Sequence, residues 1–436
     1  MMHATMSHFR RFIPIFLTVL PLVACAQTAD VEQRMIDFID EHDAEARALL
    51  ERAVNVNSGS MNFEGVREVG AIFEAEFDDL GFETRWVDGA GWGRAGHLIA
   101  ERRGSGPSMV LIGHLDTVFE PESPFQSYEL LDESSARGPG VVDMKGGNVI
   151  MIQAMKALRS AGVLDSVDVT VVLIGDEEKS GRPIPAARAD LIEAARGAEI
   201  ALGFENGDGN PRTAVISRRG WTGWVLRVWG RPAHSSQIFQ EGIGAGAVFE
   251  GARILTDFYE ELSGEPYLTF NPAVALGGSD VEFEADQDRG AAAGKINIIA
   301  EHAVIPGDLR TLTIEQREEA KAAMRSIVER NLPNTSAEIS FEDTYPPMAP
   351  SDGNRRLLAL YDQVSRELGE GPVEAVDPRN AGAADVSFTA EHVAMAIDGL
   401  GMMGTGGHTV EETADLTALR SQSKRAAVLI YRLSSR

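Results

Sequence analysis

Cysteine is almost absent from the chain: of 436 residues only Cys25 carries a thiol. No intrachain disulfide can form, and beyond residue 25 no thiolate exists to hold a metal or act as a nucleophile. Any metal must therefore be bound by histidine and carboxylate side chains, a donor set that suits zinc, manganese or cobalt. Positive charge is also scarce. Lysine and arginine number 40 against 66 aspartates and glutamates, giving a formal net charge of −26. That balance argues against nucleic acid and anionic membrane surfaces as partners, because both need basic patches. It leaves divalent cations open. Internal repeats and low-complexity segments are missing as well.

The apolar run Phe12 to Ala24 is interrupted by Pro14 and Pro21 and is too short for a spanning helix. Preceded by Arg10 and Arg11, it reads as the charged and apolar regions of a secretory signal over residues 1–26. Leu22-Val23-Ala24-Cys25 resembles a bacterial lipobox, which would make Cys25 a lipidated N-terminus, whereas Ala24-Cys25-Ala26 fits ordinary signal cleavage. Either reading predicts an exported, periplasmic protein, soluble or lipid-anchored.

The remaining length exceeds what one hydrophobic core organises, so two domains are expected. A helical stretch over Val31–Val54 and a cleaner one over Val66–Leu80 precede strand candidates at Phe82–Val87, His97–Arg102 and Met109–Ile112. Gly140–Gly147 reads as a loop and Asn148–Ala161 as a helix. The β-branched run Val167–Ile174 suits a central strand, followed by a helix near Leu191–Arg196 and a strand at Glu199–Phe204. This alternation predicts an α/β domain with a mostly parallel sheet. After Arg218 the texture changes. Strands at Trp221–Trp229, Tyr267–Ala275, Lys295–Ile299 and His302–Thr311, with helices at Ile243–Leu262 and Ile314–Asn331, read as a small α+β unit. The α/β style returns with Ile339–Tyr345, a helix over Leu357–Leu368, the strand Val393–Ile397 and a terminal helix from Leu416. The chain thus divides into an α/β domain over 27–218 and 336–436, interrupted by an inserted α+β unit over 219–335.

Sites in open α/β sheets form at the carboxyl ends of strands. His114 and Asp116 follow one strand, and being two apart they project to the same side. Asp143 opens a helix, Glu177 and Glu178 follow the β-branched run, Glu205 follows the next strand, and His408 lies in Gly404-Thr-Gly-Gly-His408 after the last one. A pair of divalent ions needs a bridging carboxylate, further carboxylate and imidazole donors, and a free general base. Asp143 is the bridge candidate. Of two adjacent glutamates, one can ligate while its neighbour takes a proton, since like charges raise one pKa.

Together these segments resemble the M20 family of metallopeptidases, in particular its glutamate-carboxypeptidase-like branch. The resemblance is carried by Gly113-His-Leu-Asp-Thr117, Gly138-Pro-Gly-Val-Val-Asp-Met-Lys-Gly-Gly147, Gly175-Asp-Glu-Glu178, Phe204-Glu205, Gly230-Arg-Pro-Ala-His-Ser235 and Gly406-Gly-His408, in family order. It implies that His114, Asp143 and Glu205 hold one metal and Asp143, Glu178 and His408 the other. The pair would be zinc, with cobalt or manganese as alternatives. Glu177 would be the general base, moving a proton from the attacking water to the leaving amine, and Asp116 would orient His114.

The resemblance further implies that the inserted domain is a lid that pairs two subunits into a homodimer. His234 would reach the neighbouring subunit's site and stabilise the oxyanion. Asn297 and Arg310 would contact the substrate's carboxylate, which suits the planar fork of arginine. Gly382-Ala-Ala-Asp385 lacks the threonine that relatives carry in this turn, so only Asp385 is carried over as a substrate-binding residue. Thr344-Tyr345-Pro346-Pro347 lacks the arginine that glutamate-specific members place before a proline. The expected activity is therefore hydrolysis of an amide beside a free carboxylate, in a peptide or N-acyl amino acid. A carboxypeptidase is the first reading, an N-acyl-amino-acid amidohydrolase or deacylase the second. A catalytically silent binding module and a structural envelope lipoprotein are the readings from other classes.

Overall fold

The structure, a computed structural model, describes residues 20–284 and 289–435. The expected leader falls mainly on residues 1–19, outside the described residues. Its end lies within helix α1 (Leu20–Glu41), which is followed by α2 (Asp43–Val54) and α3 (Phe63–Asp79). A single helix was expected over 31–54, but the chain breaks at His42. There the imidazole Nδ1 lies 2.8 Å from the carbonyl of Phe38, and Asp43 and Glu45 favour a fresh first turn. The strands β1 (Glu83–Asp88), β2 (Gly96–Arg102) and β3 (Ser108–His114) come next. Helix α4 (Lys145–Ser160), strand β4 (Asp168–Ile174), helix α5 (Ala189–Arg196) and strand β5 (Ile200–Gly203) complete this part. Among the described residues no helix is long and apolar enough to cross a membrane.

A second layer system follows. Strand β6 (Gly220–Gly230), helix α6 (Ala247–Leu262), strands β7 (Thr269–Pro272), β8 (Leu276–Gly278) and β9 (His302–Thr311), helix α7 (Ile314–Val328) and strand β10 (Thr335–Tyr345) form it. The sheet is antiparallel in the order β7-β9-β6-β10, with β8 also on β9. Trp224, Leu226 and Val228 on β6 alternate inward against Ile254 and Phe258 of α6 and Met324 and Ile327 of α7.

Two expectations fail here. Lys295–Ile299 is not a strand; it makes only an isolated bridge between Ile298 and His234. Strand β10 belongs to this second sheet, pairing Thr335 with Gly230 and running to Tyr345 beside Trp221. The change of sheet therefore lies after Tyr345, beyond the boundary expected at 335. Glu338, Ser340 and Glu342 alternate with Ala337, Ile339 and Phe341, and only the latter pack against the core. A strand with one solvated face pairs as well with an antiparallel edge as with an α/β sheet, so its pattern alone does not assign it.

The chain then returns through α8 (Asp352–Glu367), β11 (Met395–Ile397) and α9 (Leu416–Ser434). The first sheet runs β1-β2-β4-β3-β5-β11. Its β4, β3, β5 and β11 are mutually parallel, and β1 and β2 are antiparallel at one edge. Both faces are covered, as parallel sheets require. Leu98, Met109, Leu111, Val171, Leu173 and Leu202 face one cluster, and Ile99, Val110, Ile112, Val172, Ile174 and Ala201 the other.

Helix α4 begins three residues before the expected Asn148, so Gly146 and Gly147 lie in its first turn. A Cβ on Gly147 would stand 2.0 Å from the carbonyl oxygen of Phe204, and one on Gly113 would stand 2.2 Å from Asn148 Oδ1. The first turn of α4 is thereby pressed against the ends of β3 and β5. Gly147→Ala is expected to cost about 2 kcal/mol of stability through overpacking, read as a lowered denaturation midpoint; a wild-type midpoint would contradict the close packing.

Candidate active site

Register decides which side chains meet. His114, the last residue of β3, lies opposite Ile174, and Ile112 lies opposite Gly203. The carboxyl ends of β3, β4 and β5 are thus level, and the segments carrying Asp116, Glu177–Glu178 and Glu205 leave the sheet at one edge. Asn148 of α4 donates to the carbonyl of His114 at 2.7 Å, tying the helix that follows Asp143 to the same strand end. His408 arrives from a loop with its backbone in the left-handed region, φ 63°.

The carboxylate of Asp143 stands between two imidazoles. Its Oδ1 is 3.0 Å from Nε2 of His114 and its Oδ2 is 3.1 Å from Nε2 of His408. Glu205 Oε1 flanks His114 at 3.4 Å, and Glu178 Oε2 flanks His408 at 3.1 Å. The two trios share one carboxylate, the arrangement a dinuclear centre requires. Donor atoms of His114, Asp143 and Glu178 all lie within 4.8 Å of one another. Two imidazoles and three carboxylates form a donor set that fits zinc, cobalt or manganese.

The electrostatics point the same way. Burial opposes charge on His114, but the carboxylates of Glu205, Asp116 and Asp143 outweigh it and raise its pKa well above the imidazole range. Hydrogen bonds to Asp143 and Glu178 push His408 up to about 11. Asp143 is held below the usual carboxylate range, its bonds to His114 and His408 overcoming burial. Glu205 is raised by burial and by Asp143. Such a cluster draws positive charge to itself, and metal cations supply it without protons.

Glu177 coordinates neither imidazole. It is raised well above the glutamate range by burial and by the nearby carboxylate of Asp385. With Glu178, Glu205, Asn206, Arg218 and His408 it lines a cleft of about 150 Å³ over Asp143. A carboxylate of raised pKa at the wall of such a cleft can exchange a proton with whatever binds there.

A model described as Peptidase family M20/M25/M40 matches residues 110–432. The chain belongs to this peptidase family. Carboxypeptidase G2 of a Pseudomonas species (strain RS-16) is 26% identical over 401 residues, covering 88% of each chain. A probable succinyl-diaminopimelate desuccinylase of Staphylococcus epidermidis is 27% identical over 173 residues, 39% of this chain and 40% of its own length. The Bacillus subtilis protein YXEP, described as a dinuclear metal binding peptidase from the M20 family, superposes with a TM-score of 0.62 at 16% identity. That alignment covers 91% of this chain and 99% of YXEP. The protein is a hydrolase of the M20 family, and its mixed α/β fold is the fold of these neighbours.

Within this M20 framework the remaining sequence-derived residues take different places. Asp116 does stand behind His114, but its backbone carbonyl makes the close contact to Nδ1, 2.9 Å, with carboxylate Oδ1 at 3.5 Å. The carboxylate itself accepts from Ser60 Oγ at 2.6 Å and from the amides of Glu177 and Glu178 at 2.9 and 3.1 Å. It positions the two glutamates as much as the histidine. Asp385 is buried beside the site, its Oδ1 paired with Arg188 at 2.6 Å and its Oδ2 without a hydrogen-bond partner.

His234, Asn297 and Arg310 are not brought to this chain's own cleft. His234 is exposed and paired with Ser236 Oγ at 2.8 Å, and the carbonyl of Asn297 accepts from Ser235 at 2.9 Å. Arg310 bonds Asp308 at 2.8 Å and stacks over Trp221.

Arg218 and Glu412 escaped the sequence reading. Arg218 lines the cleft, held by Asp398 at 2.8 Å and by the carbonyl of Gly382 at 2.9 Å. In sequence it is one of two adjacent arginines at a change of texture, with nothing to separate it from Arg219. Glu412 is fully buried and accepts from the amides of Gly140, Val142 and Asp143 at 3.2, 2.8 and 3.1 Å. It lies four residues after His408, so one carboxylate ties the His408 segment to the Asp143 loop. Glu412→Gln, which sets an amide N–H₂ among those donors, is expected to weaken metal affinity about tenfold or more. Chelator competition on the folded variant checks this; unchanged affinity would show that the loop holds itself.

Proposed function

We propose that the protein is a hydrolase dependent on two divalent metal ions that cleaves an amide bond beside a free carboxylate. The observation that carries the reading is the Asp143 carboxylate, one oxygen on each imidazole, with Glu177 free beside it. His114, Asp143 and Glu205 would hold one ion, and Asp143, Glu178 and His408 the other. When bound, the ions would polarise the scissile carbonyl and acidify the attacking water. The chain's own residues do the rest. Glu177 accepts the proton of the water and returns it to the departing nitrogen. Asp116 keeps the Glu177–Glu178 backbone and the His114 ring in place. Arg218, the cation at the cleft wall, suits the substrate's carboxylate, and its ties to Asp398 and Gly382 fix the guanidinium in advance.

A carboxypeptidase that releases a C-terminal amino acid is the first reading, supported by likeness to carboxypeptidase G2 over most of both chains. The second, an N-acyl-amino-acid deacylase, is favoured by the shorter match to a probable desuccinylase. The exposed His234 is assigned to the cleft of a second copy, in a homodimer formed through the inserted unit. Export, with or without a lipid on Cys25, rests on the leader alone.

A panel of dipeptides, N-acyl amino acids and their C-terminal carboxamides separates these readings. Free-carboxylate substrates are expected to be cleaved about a hundredfold faster than their carboxamides; equal rates would remove the carboxylate requirement. Activity confined to one C-terminal amino acid favours the carboxypeptidase, and selectivity for the acyl group favours the deacylase. Glu177→Gln should retain metal while kcat falls about 10³-fold.

A further inference from the structure

The turn that carries Glu177 is held from two sides, and only one of them belongs to the metal centre. From below, Asp116 receives the amides of Glu177 and Glu178. From behind, the holding group is the phenol of Tyr345, the last residue of β10 in the second sheet. Its hydroxyl donates to the carbonyl of Glu177 at 3.2 Å and accepts from Arg188 Nη2 at 3.0 Å, with Ser180 Oγ also at 3.0 Å. Arg188 is fully buried and is itself fastened to the turn, bonding Asp176 Oδ1 at 2.8 Å and the Asp176 carbonyl at 3.1 Å. It also bonds Asp385 at 2.6 Å and Ser180 Oγ at 3.1 Å. The ring of Tyr345 packs on Phe388, centroids 5.1 Å apart, so the hydroxyl is aimed by packing as well as by hydrogen bonds.

We infer that Tyr345 is a positioning residue for Glu177, fastening the turn of the base to the strand end where the chain leaves the second sheet. Two chain crossings join the sheets, one entering β6 near Arg218 and one leaving β10 at Tyr345-Pro346, and the bridge between Arg218 and Met348 pairs them. The inference rests on the reading of Glu177 as general base.

Tyr345→Phe tests it, keeping the ring against Phe388 and removing only the hydroxyl. Thr344→Val is the matched control: it removes a neighbouring bond, Thr344 Oγ1 to the Trp221 carbonyl at 2.7 Å, that lies within the second sheet. For Tyr345→Phe, kcat on the best panel substrate is expected to fall about tenfold with KM unchanged, as misplacement of a reacting group requires. Hydrogen exchange at the amides of Glu177 and Glu178 should quicken about tenfold through local opening, while bound metal is retained and the melting temperature stays within about 2 °C. Thr344→Val should leave kcat and those amides as in wild type. Unchanged kcat and exchange in Tyr345→Phe would overturn the inference, as would equal losses in both variants with lowered melting temperatures. A wild type inactive on the whole panel would instead overturn the assignment of Glu177, and the exchange comparison then decides alone whether the hydroxyl holds the turn.

Discussion

The Asp143 carboxylate between His114 and His408 is the constraint on which the rest of the structure depends. A buried carboxylate is costly unless it is paired, and here each of its oxygens faces a donor that is itself drawn toward positive charge. Glu178 and Glu205 add negative charge to the same few ångströms. Cations would supply the balance, and the imidazoles and carboxylates are donors of the kind zinc and its neighbours accept. The sheet makes this concentration of charge sustainable, because level strand ends deliver the groups from separate segments and hydrogen bonds hold them there.

Those hydrogen bonds follow one scheme. Buried acids lying outside the donor set spend their oxygens on backbone amides that carry the donors. Asp116 holds Glu177 and Glu178, Glu412 holds the Asp143 loop, and Asp398 holds the amide of Glu205 at 3.2 Å. Arginines neutralise the acids left over: Arg188 between Asp176 and Asp385, and Arg218 on Asp398. Several carboxylates are thus committed to fixing backbone, and Arg188 serves two acids at once. Placement of this kind holds the imidazoles and carboxylates of the cluster in a fixed arrangement.

Much of this is legible in the sequence. The histidines and carboxylates stand at strand ends in family order, and the β-branched run Val167–Ile174 marks the sheet centre through local sequence alone. The inserted unit was visible as a change of texture. Its limits were not, because β10 alternates polar and apolar residues and its partner β6 lies more than a hundred positions away in sequence. Arg218, Glu412, Arg188 and Tyr345 were hidden for the same reason: each acts through a side chain reaching a distant segment, and spacing carries no trace of such a contact. Asp116 illustrates the finer limit. Its place behind His114 follows from a two-residue spacing, but that its carboxylate would be spent on the amides of Glu177 and Glu178 depends on the register of β3 against β4.

The central claim is that Asp143 joins two metal positions in one chain. Elemental analysis of purified, dialysed, folded protein, normalised to chain concentration, addresses it most directly. Two equivalents of divalent transition metal per chain are predicted. One equivalent, or none in protein that retains its fold, would contradict a site built around a bridging carboxylate.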